Sequence, residues 1–122
     1  MTNAINWFEI PTTDIERAVG FYGAVFEARL EVSEMTPGFK MAQFPAENGE
    51  VSGALLQGEG YAPSMEGALI YLNGGEDLSQ ALDRVEGAGG QVVMPKRDIG
   101  ENGFVASFED TEGNKVGLHS TS

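Results

Sequence analysis

Cysteine is absent from the 122 residues. Its absence excludes a disulfide framework, a thiolate metal site and a cysteine nucleophile, and favours the expectation of a reducing, cytoplasmic location. Histidine is nearly absent: His119 stands alone, so the chain cannot build a metal centre from two histidines and a carboxylate. Basic residues are few, seven Lys and Arg against 19 Asp and Glu, for a net charge of −12. That balance repels phosphate backbones and leaves no basic stripe for counterion release, so nucleic acid is not an expected partner. Long apolar runs are missing as well, since nothing approaches the roughly 18 residues of a membrane span. The opening "MTNAINWFEI" has no basic segment ahead of an apolar one, so neither a membrane partner nor a cleaved leader is expected.

What is present points to one folded domain. A chain of this length buries roughly two-thirds of its unfolded surface. Its 41% apolar residues and 17 scattered glycines suit a real core joined by tight turns. The segment "TTDIERAVGFYGAVFE" reads as a helix: Thr13 with Glu16 makes a capping box, and Ile15, Ala18, Val19, Tyr22, Val25 and Phe26 share one face. In "EDLSQALDRVEGAGG", Leu78, Ala81, Leu82 and Val85 repeat the helical spacing, and Gly89 or Gly90 supplies the stop.

The two helices match each other. "DIERAV" from Asp14 and "DLSQAL" from Asp77 agree in pattern at an offset of 63. Each follows an apolar strand, "INWFEI" or "ALIYLN". Each precedes three strand-like runs: "ARLEV", "FKMAQF" and "SGALLQ" in the first half, "QVVMP", "GFVASF" and "KVGLH" in the second. The pattern is βαβββ twice, an α+β fold, with module 1 at about 1–58, a linker at 59–66 and module 2 at about 67–122. Each last hairpin closes on a turn dipeptide suited to positive φ, Asn48-Gly49 and Gly113-Asn114. Glu109, Asp110 and Glu112 then fall at a strand end and hairpin tip, where acids are expected to be solvated.

A tandem βαβββ repeat carrying "NWFEIPTTDIERAVGFYGAVFE" and "EDTEGNKVGLHS" resembles the glyoxalase/bleomycin-resistance/extradiol-dioxygenase superfamily, the vicinal oxygen chelate proteins, over essentially the whole chain. Gly60 to Ser64 and Ile99 to Glu101 are similar to segments of its small single-domain glyoxalase-like members. The resemblance implies curved mixed sheets around a cavity, helices outside, and a homodimer. In metal-using members a divalent ion is held by side chains from the first and last strand of each module. The matching positions here are Trp7, Leu69, Gly117, and Gly53 or Ala54, none of which offers a donor side chain. No metal and no other cofactor is therefore expected, and lyase or dioxygenase chemistry that works through the ion is put in doubt.

Strand alternation turns Trp7 and Glu9 to the cavity, with Tyr71 and Asn73 of the second module's first strand and Lys115, Gly117 and His119 of the last. Trp7 either fills the space an ion would take or stacks on a ligand with Tyr71, and Asn73 and Lys115 join them as ligand contacts. Glu9, a carboxylate among apolar strand neighbours, needs a partner such as Lys115 or His119, and forms either a structural ion pair or a functional acid. His119 is either exposed near the last residue or, pointing inward, the best general base. The loop from Gln57 to Gly67 is a linker or a lid, and Lys96-Arg97 either attracts an anion or offsets nearby acids.

Three functions follow as alternatives. The first is small-molecule binding in the cavity, with or without metal-free lyase-like or isomerase-like catalysis by Glu9 and His119. The second is drug or metabolite sequestration, which the acidity suits to cationic ligands. The third is a metal-dependent lyase or dioxygenase with atypical ligands.

Overall fold

The computed structural model describes residues 3–47 and 49–122, and of Met35 only the backbone. Asn48, half of one expected turn dipeptide, lies outside the described residues. The first module runs β1 (Trp7–Pro11), α1 (Ile15–Phe26), β2 (Val32–Thr36), β3 (Phe39–Gln43) and β4 (Ser52–Gln57). The second runs β5 (Tyr71–Asn73), α2 (Ser79–Val85), β6 (Gln91–Asp98), a 3-10 turn (Gly100–Asn102), β7 (Phe104–Glu109) and β8 (Lys115–Ser120). The fold is α+β, with two mixed four-stranded sheets ordered β1-β4-β3-β2 and β5-β8-β7-β6.

In each sheet the module's first strand lies parallel to its last, and the rest pair antiparallel. This registers Tyr71 with Gly117 and Asn73 with His119. On β1 the residues alternate as the pattern requires: Trp7 and Glu9 are exposed, while Ile10 is buried and Phe8 packs against the core.

Ile15, Ala18, Phe21, Tyr22 and Val25 of α1 are buried at helical spacing. They share one cluster with Leu78, Ala81 and Val85 beside α2 and with Leu55, Phe108, Val116 and Leu118 from both sheets. The helices also touch directly, Arg84 Nε donating to the Val25 carbonyl at 2.8 Å. Each large apolar side chain buried there contributes about 1.5–3 kcal/mol, so the modules are welded by one core.

Two local expectations are corrected. The N-cap of α1 is Asp14, whose carboxylate accepts from Arg17 N at 3.2 Å. Thr13 lies one residue before the cap, and its N–H is taken by Glu112 of the other module instead of by Glu16 as a capping box would have it. The strand expected at "ARLEV" starts later, at Val32. Glu27 ends α1 in a left-handed turn (φ 50), and the chain spends Ala28 to Glu31 reversing, with Leu30 buried.

The duplication survives in the helix starts. Gln57, last residue of β4, accepts from Ile15 N at 2.8 Å, and Ser120, last residue of β8, accepts from Leu78 N at 3.0 Å. Both donor and both acceptor positions are related by the offset of 63. Each module thus closes its own helix with the end of its own fourth strand.

Candidate functional site

The open face of the second sheet carries a cleft of about 430 Å³, within the usual range for small-molecule sites. β8 contributes Lys115 and His119, β5 contributes Tyr71, and Arg97 enters from β6. Leu69, Ile99 and Val105 are among its apolar walls, and Ser107 adds a hydroxyl. Four expected positions thus come together here: Leu69, Tyr71, Lys115 and His119. Asn73 lines an adjoining depression with Tyr71 and His119, but its Oδ1 is engaged by Gly75 N at 2.8 Å in a tight turn.

His119 points into this region rather than trailing at the chain end. Its Nε2 is hydrogen-bonded to the main-chain oxygen of Asn102. A carbonyl only accepts, so Nε2 carries the hydrogen, and in the neutral ring the lone pair is left on Nδ1. The turn that offers this carbonyl is held by Gly103, whose φ of 102° and ψ of −131° belong to glycine.

Trp7 and Glu9 are not brought to this cleft. They stand on the first sheet, where Trp7 Nε1 donates to Glu9 at 3.2 Å and Tyr61 Oη donates to the same carboxylate at 3.4 Å. The expected pairing of Glu9 with Lys115 or His119 is therefore not formed. Glu9 is exposed and served by two aromatic donors, so the cost of an unpaired buried carboxylate does not arise. Burial and the neighbouring Glu9 raise the Tyr61 hydroxyl above its ordinary pKa. The linker holding Tyr61 leans on Phe39 of the first sheet and is pinned at Ser64, whose N–H donates to Asn114 at 3.0 Å. It contributes nothing to the wall of the second-sheet cleft.

The acids of "EDTEGN" are the main correction. Asp110 and Glu112, expected to be solvated, are only 4% and 8% exposed. Glu112 accepts from the N–H groups of Thr13 (2.8 Å) and Asp14 (2.7 Å) and from Arg17 Nε (2.7 Å). Burial pushes its pKa up, but the bonds from Arg17, Asp14 and Thr13 outweigh that and hold it below the ordinary 4.5. Asp110 accepts from Tyr22 Oη at 2.7 Å and from Glu112 N and Asn114 N. Burial, followed by Asp110, drives the Tyr22 pKa well above 10.0. Asn114 Nδ2 donates to the Pro11 carbonyl at 2.7 Å. The hairpin tip is a buried polar joint between the modules.

The adjacent bases Lys96 and Arg97 part company because strand neighbours face opposite ways. Lys96 Nζ reaches Asp77 at 2.8 Å and sits 4.6 Å from the Phe104 ring centroid, whereas Arg97 lines the cleft. The Lys96 hydrogen bond, with those from Ser79, lowers the Asp77 pKa to about 2.

The positions that would hold a divalent ion do not fit one. A side chain at Gly117 would collide with the Tyr71 ring, which lies over that glycine. Among the described residues no three His, Asp or Glu side chains gather as a ligand set.

Comparison with known proteins agrees with this architecture. The family described as Glyoxalase/Bleomycin resistance protein/Dioxygenase superfamily matches residues 4–118. CFP32 of Mycobacterium bovis, provisionally named a glyoxylase, is 32% identical over 116 residues; the match covers 93% of this chain and 44% of CFP32. The chain therefore spans under half the length of that relative. A glyoxylase-like domain-containing protein of Didymella fabae is 31% identical, with 90% of this chain and 88% of that protein covered. The crystal structure of a glyoxylase/bleomycin resistance protein/dioxygenase domain from Frankia sp. EAN1pec superposes with a TM-score of 0.73. That match covers 98% of each chain at 13% identity, a likeness of fold alone. By the family match and the Didymella relative, this chain belongs to the glyoxalase/bleomycin resistance protein/dioxygenase superfamily.

Proposed function

We propose that the chain binds a small organic molecule in the second-sheet cleft, without the divalent ion used elsewhere in the family. The observation that carries this reading is the Tyr71 ring over Gly117: where the metal-using relatives place a ligand, this chain places an aromatic side chain that is 46% exposed and lines the cleft. A flat apolar ligand stacks on such a face, and Lys115 and His119 lie beside it to fix a polar group. If the bound molecule is turned over, Nδ1 of His119 is the base, since Nε2 is committed to Asn102.

The test is a thermal-shift screen of a small-molecule library on protein dialysed against EDTA. A ligand that binds only the folded state raises the midpoint by mass action. Hits should lose their shift in Tyr71→Ala and keep it in Trp7→Ala, while hits indifferent to Tyr71 would overturn the assignment. A homodimer is also proposed, because Ile5, Trp7 and Val51, none of which lines the cleft, leave large apolar side chains 52%, 41% and 40% exposed. Light scattering should return about twice the 13.0 kDa chain mass; a monomer at micromolar concentration would contradict it.

A further inference from the structure

We infer that the ligand is an organic anion, an apolar or aromatic body carrying a carboxylate. The inference rests on the cleft being a ligand site, and adds the sign of the ligand's charge. The chain has 19 acids in 122 residues, so a wall of ten residues would include one or two by chance, yet this wall has none. It does hold two of the seven bases, Arg97 and Lys115.

The disposition of the other bases sharpens the point. Among the described residues Arg17, Lys40, Arg84 and Lys96 each lie within 4 Å of a carboxylate. Arg29, Arg97 and Lys115 form no such pair, and two of these three meet in one cleft. In a chain of charge −12, lining one cleft with two cations that have no carboxylate within 4 Å works against the abundant supply of acids. A ligand carboxylate supplies the missing partner. Arg97 presents a planar fork that matches a carboxylate in two hydrogen bonds, and Lys115 adds a point charge. Ser107 and the Nδ1 side of His119 complete a polar rim around the Tyr71 face. The same arrangement disfavours cationic ligands, which the overall charge alone would have favoured.

The test compares three probes of one shape, benzoate, benzamide and benzamidine, by calorimetric titration of EDTA-treated protein. Benzoate is expected to bind roughly tenfold more tightly than the neutral and cationic probes. Arg97→Gln and Lys115→Gln, each on a solvent-facing or half-buried strand position, should each erase that preference. Arg29→Gln, which removes the third unpaired base outside the cleft, should leave it intact. Equal binding of benzamide or benzamidine overturns the inference, as does an Arg29→Gln loss matching the other two. If library hits depend on Tyr71 while benzoate fails to bind, the anion inference is overturned and the cleft stands; if no hit depends on Tyr71, the cleft itself is refuted.

Discussion

Replacing Glu112 tests the joint that holds the two modules in register. Its carboxylate is fully screened from solvent and accepts from two main-chain N–H groups, from Arg17 Nε and Nη2 at 2.7 and 3.1 Å, and from Thr111 Oγ at 3.0 Å. Arg17 is half exposed, so its share is that of a surface pair, no more than about 1 kcal/mol. The two main-chain bonds end on a charge, worth about 1.5 kcal/mol each at the low end. Glu112→Ala should therefore cost about 3–4 kcal/mol, a fall of roughly 10–15 °C in melting temperature for a domain of this size. Glu112→Gln keeps one accepting oxygen and should cost about 2 kcal/mol. The pKa adds a second signature. A carboxylate held below 4.5 in the folded state stabilises above that pH, and the benefit fades as pH falls through the folded value. The gap between wild type and Glu112→Gln in urea denaturation, followed by circular dichroism, should be full near pH 7 and narrower near pH 3.5. A loss for Glu112→Ala below about 1 kcal/mol, or a gap that does not narrow in acid, would refute the reasoning.

Three further outcomes follow from the same geometry. Tyr22→Phe keeps the packing against Phe21, Phe26 and Phe44 but removes the hydroxyl that Asp110 accepts, and should cost about 1.5–2 kcal/mol in urea denaturation. Carbon-13 NMR should place the Asp77 carboxyl midpoint at about 2, and Lys96→Gln should move it back toward 3.8. The stabilisation Asp77 gives is complete above 3.8 and disappears as pH falls toward 2. Gly103→Ala, whose Cβ would run into the Ser120 carbonyl at a glycine-only conformation, should cost about 3 kcal/mol by thermal unfolding. Gly100→Ala, with open space around it, should cost only about 1 kcal/mol.

Much of the fold was legible because its signals are local and periodic. "SGALLQ" became β4 at the expected bounds, and the helix faces were read from the spacing of Ile15, Tyr22 and Val25. The offset of 63, read from the helix pattern alone, also relates the helix-start bonds that the structure adds at Gln57 and Ser120. Alternation placed Tyr71, Lys115 and His119 on one face correctly, because the side-chain period of a strand is fixed. What pattern could not supply is which surfaces meet. Asp110 and Glu112 look like ordinary turn acids until module 1 brings the Tyr22 hydroxyl to the first and the N–H groups of Thr13 and Asp14 to the second. The available signal was a helix start with donors to spare and a hairpin tip rich in acceptors. The partner of Glu9 was missed for the complementary reason: strand direction fixed its face beside Trp7, but nothing local said that Tyr61 would return to meet it.

The central claim, a metal-free ligand cleft on the second sheet, is tested most directly by amide NMR of EDTA-treated protein titrated with benzoate. Shifts confined to Tyr71, Arg97, Lys115, His119 and their strand neighbours, saturating without added metal, are the predicted result. Shifts centred on Trp7 and Glu9, or binding that appears only when a divalent ion is restored, would contradict it.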